Sequence, residues 1–221
     1  MKRFLLLLTF LFVGCGTVYE ITPEAKYHFN DGEKILTSKK EHSTVQIKLG
    51  QIDFNSSVPL LFYVQVKSDE PIIFDVANLQ FFQNVQTFHV LTSKEVIASN
   101  YDFQALLQNF NISMPPMNNP QYFPNPYPIF FTYSPFMAPL GGFYGGGFNM
   151  NGNYYREAEY SRRILAAHYF RKSTLHKTGF TSGFVAVALR KLTNESPLQL
   201  RVQVGSDTHT FKFEVGIPPK K

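Results

Sequence analysis

Apolar and polar residues alternate over several short stretches of the chain, and a period of two predicts β-strands. The clearest early example follows Thr44, where Val45, Ile47 and Leu49 alternate with polar residues. Beyond Gly50 the apolar positions move to the opposite parity, which indicates a bulge or bend at that glycine. We predict strands over 44–49, 60–67 and 87–91, and either two short strands over 72–74 and 78–82 or one bent strand there; 18–21 is a further candidate for a short strand.

The C-terminal part of the chain carries the strongest strand pattern. Residues 184–189 form a continuous apolar run, which is typical of a strand buried on both faces. Residues 198–204 and 208–215 alternate on either side of a turn at Gly205, and this arrangement predicts a β-hairpin. His209 falls on the inward parity of the hairpin, so we expect a partly buried histidine with its hydrogen bonds satisfied.

Two helices are predicted between these groups of strands. Thr92 and Glu95 have the spacing of a capping box, in which each side chain satisfies a free backbone amide at a helix start. Apolar residues recur three or four positions apart from there to Phe110, which predicts a helix over that stretch. A second helix is predicted over 155–175, with a favourable charge pair four residues apart at Glu159 and Arg163.

The segment between the predicted helices has an unusual composition. No charged residue occurs from Phe103 to Tyr155, and 111–155 holds 8 of the 14 prolines, 6 of the 14 glycines and 12 of the 35 aromatic residues. Proline and glycine at this density exclude a helix or a central strand, so we predict a long inserted loop.

Aromatic side chains give this insert a candidate role. Disordered linkers are usually charged and poor in aromatic residues, and an exposed apolar area of this size marks a contact site. We therefore expect contact with a membrane or a partner protein; the alternative is that the rings fold back on the chain's own domain. The candidate contact residues are Tyr122, Phe123, Tyr127, Phe130, Phe131, Tyr133, Phe136, Phe143, Tyr144 and Phe148.

The first fifteen residues have the organisation of an export signal. Lys2 and Arg3 precede an apolar run over 4–13, which is too short to span a bilayer as a helix. The run ends at Gly14-Cys15, which resembles the lipobox of bacterial lipoproteins. The resemblance implies that 1–14 is removed and that Cys15, the only cysteine, carries diacylglycerol and an N-acyl chain such as palmitate. By the same resemblance, Gly16 implies sorting to the outer membrane. The alternative is an ordinary secretory signal in which Cys15 is a small buried residue.

The predicted elements together favour a mainly β fold. Seven or eight short strands separated by turns indicate an immunoglobulin-like antiparallel β-sandwich, with a long inserted loop flanked by two helices. We divide the chain into a signal peptide (1–14), a lipidated N-terminus and tether (15–43), a sandwich formed by 44–91 and 176–217, and an insertion (92–175).

The order of these parts resembles a group of uncharacterised bacterial lipoproteins with an immunoglobulin-like sandwich. The resemblance rests on five short motifs in the mature chain. They are a Pro-Ile-x-Phe strand (71–74), the capped helix start (92–95), the Gly/Tyr-rich insert, a Thr-x-x-x-x-Gly approach to a buried strand (178–183), and a final run of His209, Phe211 and Phe213. It implies a fold and a place in the cell envelope, and it implies no activity.

Charge and motifs exclude several functions. The chain carries 21 basic and 16 acidic residues, and removal of 1–14 takes away two basic residues and leaves a net charge of only +3. The remaining basic residues form no concentrated stripe, so we expect no nucleic-acid partner. The six histidines lack metal-ligand spacing, and neither a nucleophile elbow nor a phosphate loop occurs, so we expect no enzyme activity and no cofactor.

These observations predict a non-enzymatic lipoprotein of the cell envelope. In this interpretation Cys15 anchors the protein, most simply in the outer membrane, and residues 111–155 contact a partner protein or the membrane. The alternative is a periplasmic module for a small ligand or for copper(I), because thioether sulfur favours copper(I) and Met114 and Met117 lie close together in the insert. Methionine also serves as an adaptable apolar contact, which makes these two residues weak candidates for metal ligands.

Overall fold

The computed structural model describes residues 18–30, 33–50, 53–55, 58–112 and 148–218. In these ranges the chain forms thirteen β-strands and three α-helices. The strands are β1 (Val18–Pro23), β2 (His28–Asn30), β3 (Glu33–Lys39), β4 (Ser43–Leu49), β5 (Asp53–Asn55), β6 (Leu60–Ser68), β7 (Ile72–Phe74), β8 (Leu79–Gln83), β9 (Gln86–Val90), β10 (Ser173–Leu175), β11 (Thr181–Ala188), β12 (Leu198–Val204) and β13 (Asp207–Gly216). The helices are α1 (Ser93–Ala98), α2 (Gln104–Asn109) and α3 (Phe148–Ala167).

Eleven of the strands form one antiparallel sheet in the order β2-β3-β4-β6-β11-β9-β8-β12-β13-β1-β5, and β10 pairs separately with β7. The sheet changes direction at β9, which pairs with β8 through its first residues and with β11 through His89 and Val90. This shared strand divides the sheet into a first half (β2, β3, β4, β6 and β11) and a second half (β8, β12, β13, β1 and β5).

The two halves face each other across a common apolar core. The ring centroid of Phe62 in β6 lies 5.0 Å from that of Phe81 in β8 and 5.5 Å from that of Phe213 in β13. All three phenylalanines are fully buried, and each such side chain contributes roughly 1.5–3 kcal/mol through burial. Strands β4 and β12 alternate strictly between buried and partly exposed residues, as their sequence pattern predicts. The predicted mainly antiparallel β fold is confirmed.

A second, smaller core lies on the outer face of the first half of the sheet. Leu61 of β6 and Phe184 of β11 point to that face and pack with Val96, Leu107 and Leu165 of the three helices. Strand β11 is therefore buried on both faces, as its continuous apolar run predicts. The capping box of Thr92 and Glu95 is also confirmed, since both reciprocal hydrogen bonds are present at the start of α1.

The predicted tether over 15–43 is wrong from Val18 onwards, although the short strand predicted at 18–21 is confirmed as part of β1. Strands β1, β2 and β3 occupy most of this stretch and belong to the sheet. Strands β2 and β1 lie near its two edges, where few residues are buried, so their sequences look polar. The parity change after Gly50 has a related cause: β4 belongs to the first half of the sheet, and β5 pairs with β1 in the second half.

Both predicted helices differ from the observed ones. The first is interrupted after Ala98, because Ser99 adopts an extended conformation and the Asp102 carboxylate accepts a hydrogen bond from the backbone N–H of Gln104 at the start of α2. The second begins at Phe148, so the predicted loop over 111–155 is wrong for its last eight residues. It ends at Ala167, because the next residues exchange backbone hydrogen bonds with Phe184.

The predicted insertion over 92–175 and the predicted strand count also need correction. Residues 173–175 form β10, which pairs with β7, so the insertion ends before them. The thirteen strands of the described residues exceed the predicted seven or eight, since most of the additional ones have only three residues and show no measurable alternation.

Candidate functional site

Strand directions define two ends of the folded body. Ser43 at the start of β4 lies 2.8 Å from His209 near the start of β13, measured from Oγ to Nε2. Both strands therefore run away from the same end, which we call the distal end and which contains the turns at 40–42 and 205–206. The opposite end, where β4 finishes at Leu49 and β13 at Gly216, is the proximal end.

The N-terminus of the described chain lies at the proximal end. Strand β1 is antiparallel to β13 and places Glu20 opposite Gly216. Val18 is two residues further towards the proximal end and pairs with Asn55. Cys15 precedes Val18 by three residues, and three extended residues span at most about 10 Å. The predicted lipidation site therefore belongs within about 10 Å of this end, although Cys15 itself lies outside the described residues.

The residue that precedes the insert, Phe110, also lies near the proximal end. Helix α2 is followed by Phe110, whose ring packs against Phe184 with centroids 5.0 Å apart. The same ring covers Gly50, directly after β4: a Cβ atom on Gly50 would lie 2.6 Å from Phe110 Cε2. The glycine thus makes room for the ring that fixes the start of the insert beside the proximal end.

The predicted contact and metal residues cannot be compared with this geometry. Nine contact candidates lie outside the described residues, as do Met114 and Met117. The tenth, Phe148, is the first residue of α3, and its side chain is outside the described part. Their roles remain predictions. The nine are Tyr122, Phe123, Tyr127, Phe130, Phe131, Tyr133, Phe136, Phe143 and Tyr144.

The helices that flank the insert are fixed to each other and to the body by buried polar contacts. The fully buried Ser161 of α3 accepts a hydrogen bond from the backbone N–H of Phe103 (3.0 Å). The Tyr169 hydroxyl donates to the Leu91 carbonyl and accepts from the Ala186 amide (3.0 Å), which ties the chain after α3 to β11. Burial raises the pKa of Tyr169, so its hydroxyl keeps its proton at any physiological pH.

Surface chemistry at the proximal end is mixed. A groove beside the end of β13 is lined by acidic residues from three parts of the chain: Glu20, Glu24, Glu195 and Glu214. Exposed aliphatic side chains occur nearby, with Val85 fully exposed in the β8–β9 turn and Ile217 57% exposed after β13. Four carboxylates disfavour adsorption of this groove to an anionic surface.

A buried polar cluster occupies the distal end. The Ser43 hydroxyl donates to the Asp207 carboxylate (2.6 Å) and contacts His209 Nε2 (2.8 Å), and His209 Nδ1 lies 2.9 Å from the Ser38 hydroxyl. The backbone N–H of His42 donates to the same Asp207 oxygen (3.0 Å). His209 is fully buried. The prediction of a buried, satisfied histidine is confirmed, with the burial complete rather than partial.

Local electrostatics follow from this arrangement. Burial lowers the pKa of His209, and the negative charge of Asp207 opposes the shift without reversing it. The hydrogen bond from Ser43 lowers the pKa of Asp207, helped by the His42 amide. The neutral imidazole and the ionised carboxylate are therefore the stable forms near pH 7.

The cluster contains the residue types of a serine hydrolase triad in an unsuitable arrangement. In such a triad the carboxylate orients the imidazole, which in turn activates an accessible hydroxyl. Here the Asp207 carboxylate holds the hydroxyl of Ser43, and Ser43 is only 5% exposed. The geometry serves to hold two strands together and leaves no room for a substrate at the hydroxyl.

Sequence reasoning identified His209 and missed its partners. A signal was present for Ser43, because it lies two residues before Val45 and shares the inward parity of Val45, Ile47 and Leu49. A serine in phase with an apolar run indicates a buried hydroxyl that needs a partner. No local pattern connects it with Asp207, which is 164 residues away.

Across the described ranges, no three His, Cys, Asp or Glu side chains lie close enough together to hold a metal ion. In the same part of the chain, none of the helices combines the length and the apolar character needed to cross a membrane.

Comparison of the chain with protein-family models, with curated proteins and with solved structures gave no match in any of the three cases.

Proposed function

We propose that this protein is a non-enzymatic lipoprotein of the cell envelope, held by acyl chains on Cys15 with its proximal end towards the membrane. In this proposal the folded-over sheet is an immunoglobulin-like sandwich that acts as a rigid platform. The uncharged aromatic insert reaches the surface of the same membrane. One observation carries the proposal: the start of β1 and the start of the insert lie at the same end of the body.

Two features support membrane contact: the short distance between Cys15 and the folded body, and the composition of the insert. Lipid on Cys15 places the bilayer within about 10 Å of Val18, and several acyl chains on one residue give a durable anchor, at ~0.8 kcal/mol for each buried methylene. Tyrosine and phenylalanine without neighbouring charges suit the boundary between headgroups and acyl chains. The insert has this composition, and Phe110, which directly precedes it, packs beside Gly50.

Rigid attachment of the helices supports a positioning role for the body. Ser161 and Tyr169 fix α3 on one side of the insert, and Phe110 fixes α2 on the other. A segment held at both ends by a folded platform loses less conformational freedom on binding than a free tail, which favours contact. In the outer membrane, as Gly16 implies, this platform would display the insert at the periplasmic surface.

Lipidation is tested first, with the full chain expressed in a bacterium that processes lipoproteins. Cells fed an alkyne analogue of palmitate should label the wild-type protein and leave Cys15→Ser unlabelled, and only the wild type should sediment with membranes. Labelling of neither protein, together with a soluble wild type, would refute the anchor.

Contact of the insert with the bilayer is tested separately. The chain contains no tryptophan, so Phe131→Trp provides a single fluorophore in the insert. Phe180→Trp is the matched control, since Phe180 is 43% exposed and directly precedes β11 at the distal end. Each acylated variant is reconstituted in phosphatidylcholine vesicles with and without brominated acyl chains.

Bromine quenches tryptophan only at short range, so we expect quenching for Phe131→Trp and none for Phe180→Trp. Equal fluorescence of Phe131→Trp in both kinds of vesicle would refute membrane contact by the insert. If crosslinking in cells then captured a protein through the insert, a protein partner would replace the bilayer in the proposal.

A further inference from the structure

We propose that His209 and its hydrogen-bonded neighbours form an acid-sensitive latch at the distal end of the body. The latch joins the β3–β4 hairpin, in the first half of the sheet, to the β12–β13 hairpin, in the second half. Its members are Ser38, Ser43, Asp207 and His209, together with the backbone amide of His42. The inference goes beyond the proposed function and does not depend on lipidation.

This cluster can act as a latch because it connects two hairpins that do not pair with each other. Strands β4 and β13 are not neighbours in the sheet, so no backbone ladder connects them. At the distal end their polar connection runs through Ser43, which contacts both Asp207 and His209. Ser38 of β3 adds a second contact to the other nitrogen of the imidazole. The His209 side chain therefore contacts both strands of the β3–β4 hairpin.

The donors and acceptors of the cluster determine which nitrogen of the neutral His209 ring carries the proton. The single Ser43 proton is given to Asp207, because an ionised carboxylate only accepts. His209 Nε2 must then carry a proton and donate to Ser43 Oγ, and the unprotonated Nδ1 accepts from the Ser38 hydroxyl. All four groups are satisfied in this arrangement, which is stable while His209 is neutral.

Acid changes this arrangement at Nδ1. A proton bound there turns the acceptor into a donor, so the Ser38 hydroxyl must rotate away and accept. The imidazole also becomes a buried cation among apolar side chains, which costs free energy unless a negative charge lies in contact. Asp207 is the nearest one, and the Ser43 hydroxyl stands between the carboxylate and the ring.

The surrounding charges do not compensate for that cost. Burial and Lys40, in the turn between β3 and β4, act against a positive His209, whereas Asp207 and a hydrogen bond to the backbone of Ser38 act in its favour without outweighing the burial. The remaining titratable groups of this region are on exposed or half-exposed residues: Lys39, Glu41, His42, Lys67 and Asp69. The neighbouring strands contribute no charge to the buried side: β12 places Val202 opposite His209, and β6 places the buried Ser68 opposite Ser43.

Acid is therefore expected to open the latch. Desolvation lowers the pKa of His209 in the closed state, whereas solvent restores an ordinary value near 6.5 once the hairpins separate. Each unit by which the His209 pKa is lower in the closed state than in the open state raises the equilibrium constant for opening tenfold, once the pH is below both pKa values. The apolar core under the hairpins stays intact, so the opening is confined to the distal end.

Two measurements on the full chain test the latch. Nuclear magnetic resonance of the His209 ring gives its pKa directly in the wild type. Hydrogen–deuterium exchange at pH 7.5 and pH 5.0, corrected for intrinsic rates, reports the protection of 38–46 and 205–211. We expect a His209 pKa below 6.5, and a loss of protection in these two segments that approaches tenfold for the first unit below 6.5 and is limited to about thirtyfold between these two pH values. Protection of β6 and β11 should not change.

Variants distinguish the latch from a general effect of acid. His209→Gln keeps a neutral hydrogen-bonding side chain and should abolish the acid response. Ser43→Ala removes the link to Asp207 and should show the loss of protection already at pH 7.5. His42→Gln is the matched control, because it removes an exposed histidine of the same turn and keeps the backbone donor, so its acid response should equal that of the wild type.

Three outcomes would overturn the latch. They are a His209 pKa at or above 6.5 in the wild type, protection of 38–46 that is the same at both pH values, and an acid response in His209→Gln equal to that of the wild type. The first two need no variant, so the test stands even if His209→Gln does not fold.

Discussion

Gly183→Ala should strongly destabilise this protein, because the glycine lets another part of the backbone approach β11. A Cβ atom at position 183 would lie 2.5 Å from both the N and the Cα of Phe170. Ordinary contact requires about 3.5 Å, so residues 169–170 would have to move by about 1 Å. Backbone atoms cannot rotate away as a flexible side chain can.

The expected loss of stability follows from the hydrogen bonds and packing that this displacement disrupts. Phe184 exchanges two backbone hydrogen bonds with the displaced segment, from Phe170 N–H (2.8 Å) and to the His168 carbonyl (2.9 Å). Each contributes about 1 kcal/mol net, and forcing an extra methyl into a packed site costs about 1–3 kcal/mol. Alanine also restricts the unfolded chain more than glycine does, and this offsets less than about 1 kcal/mol of the loss. We expect a net loss of about 3 kcal/mol.

Urea denaturation of the full chain measures this loss. At about 2 kcal/mol per molar urea the midpoint should fall by about 1.5 M without a change in slope. Gly179→Ala is the matched control, since no atom lies within 4 Å of a Cβ at that position, and its midpoint should stay within about 0.25 M of the wild type. Equal midpoints for the two variants would show that the backbone does not approach β11 as described.

Three further predictions concern buried polar groups. Tyr169→Phe leaves a backbone amide and a carbonyl without their partner, so stability should fall by about 2–4 kcal/mol in the same assay; an unchanged midpoint would contradict this. Gln83→Leu removes the side-chain hydrogen bonds that hold 193–196, and hydrogen exchange of that loop should accelerate, whereas unchanged exchange would show that the loop does not need them. Thermal unfolding should become easier as the pH falls from about 6.5 and again near 3.8, because His209 and Asp207 have lowered pKa values in the folded state, so the unfolded chain binds more protons; a flat profile would contradict both shifts.

Elements with a long, regular pattern were predictable. The β12–β13 hairpin was recognised because one face is buried along its whole length, and burial imposes a period of two on the sequence. The capping box at Thr92 is local as well, since its hydrogen bonds link residues three apart. Strand β11 was recognised as doubly buried from its apolar run alone, although the run does not reveal that helices cover its outer face.

Elements decided by distant partners were not predictable. Residues 18–39 look like a polar tether because two of their three strands lie near sheet edges, where side chains keep contact with water. The end of α3 is set by Phe184, whose backbone takes over the hydrogen bonds of the chain after Ala167. The helical pattern continues past this point, so local periodicity overestimates the helix.

The candidate site shows the same division between local and distant information. By itself the sequence determined the single cysteine, the uncharged aromatic segment and the alternating strands, and it predicted an export signal, because each depends on composition or on neighbours within a few residues. Only the tertiary structure decided that the start of β1 and the start of the insert share one end, and that Ser43 meets Asp207 and His209 at the other. Both facts depend on antiparallel pairing and packing between residues far apart in the chain, which no local pattern encodes.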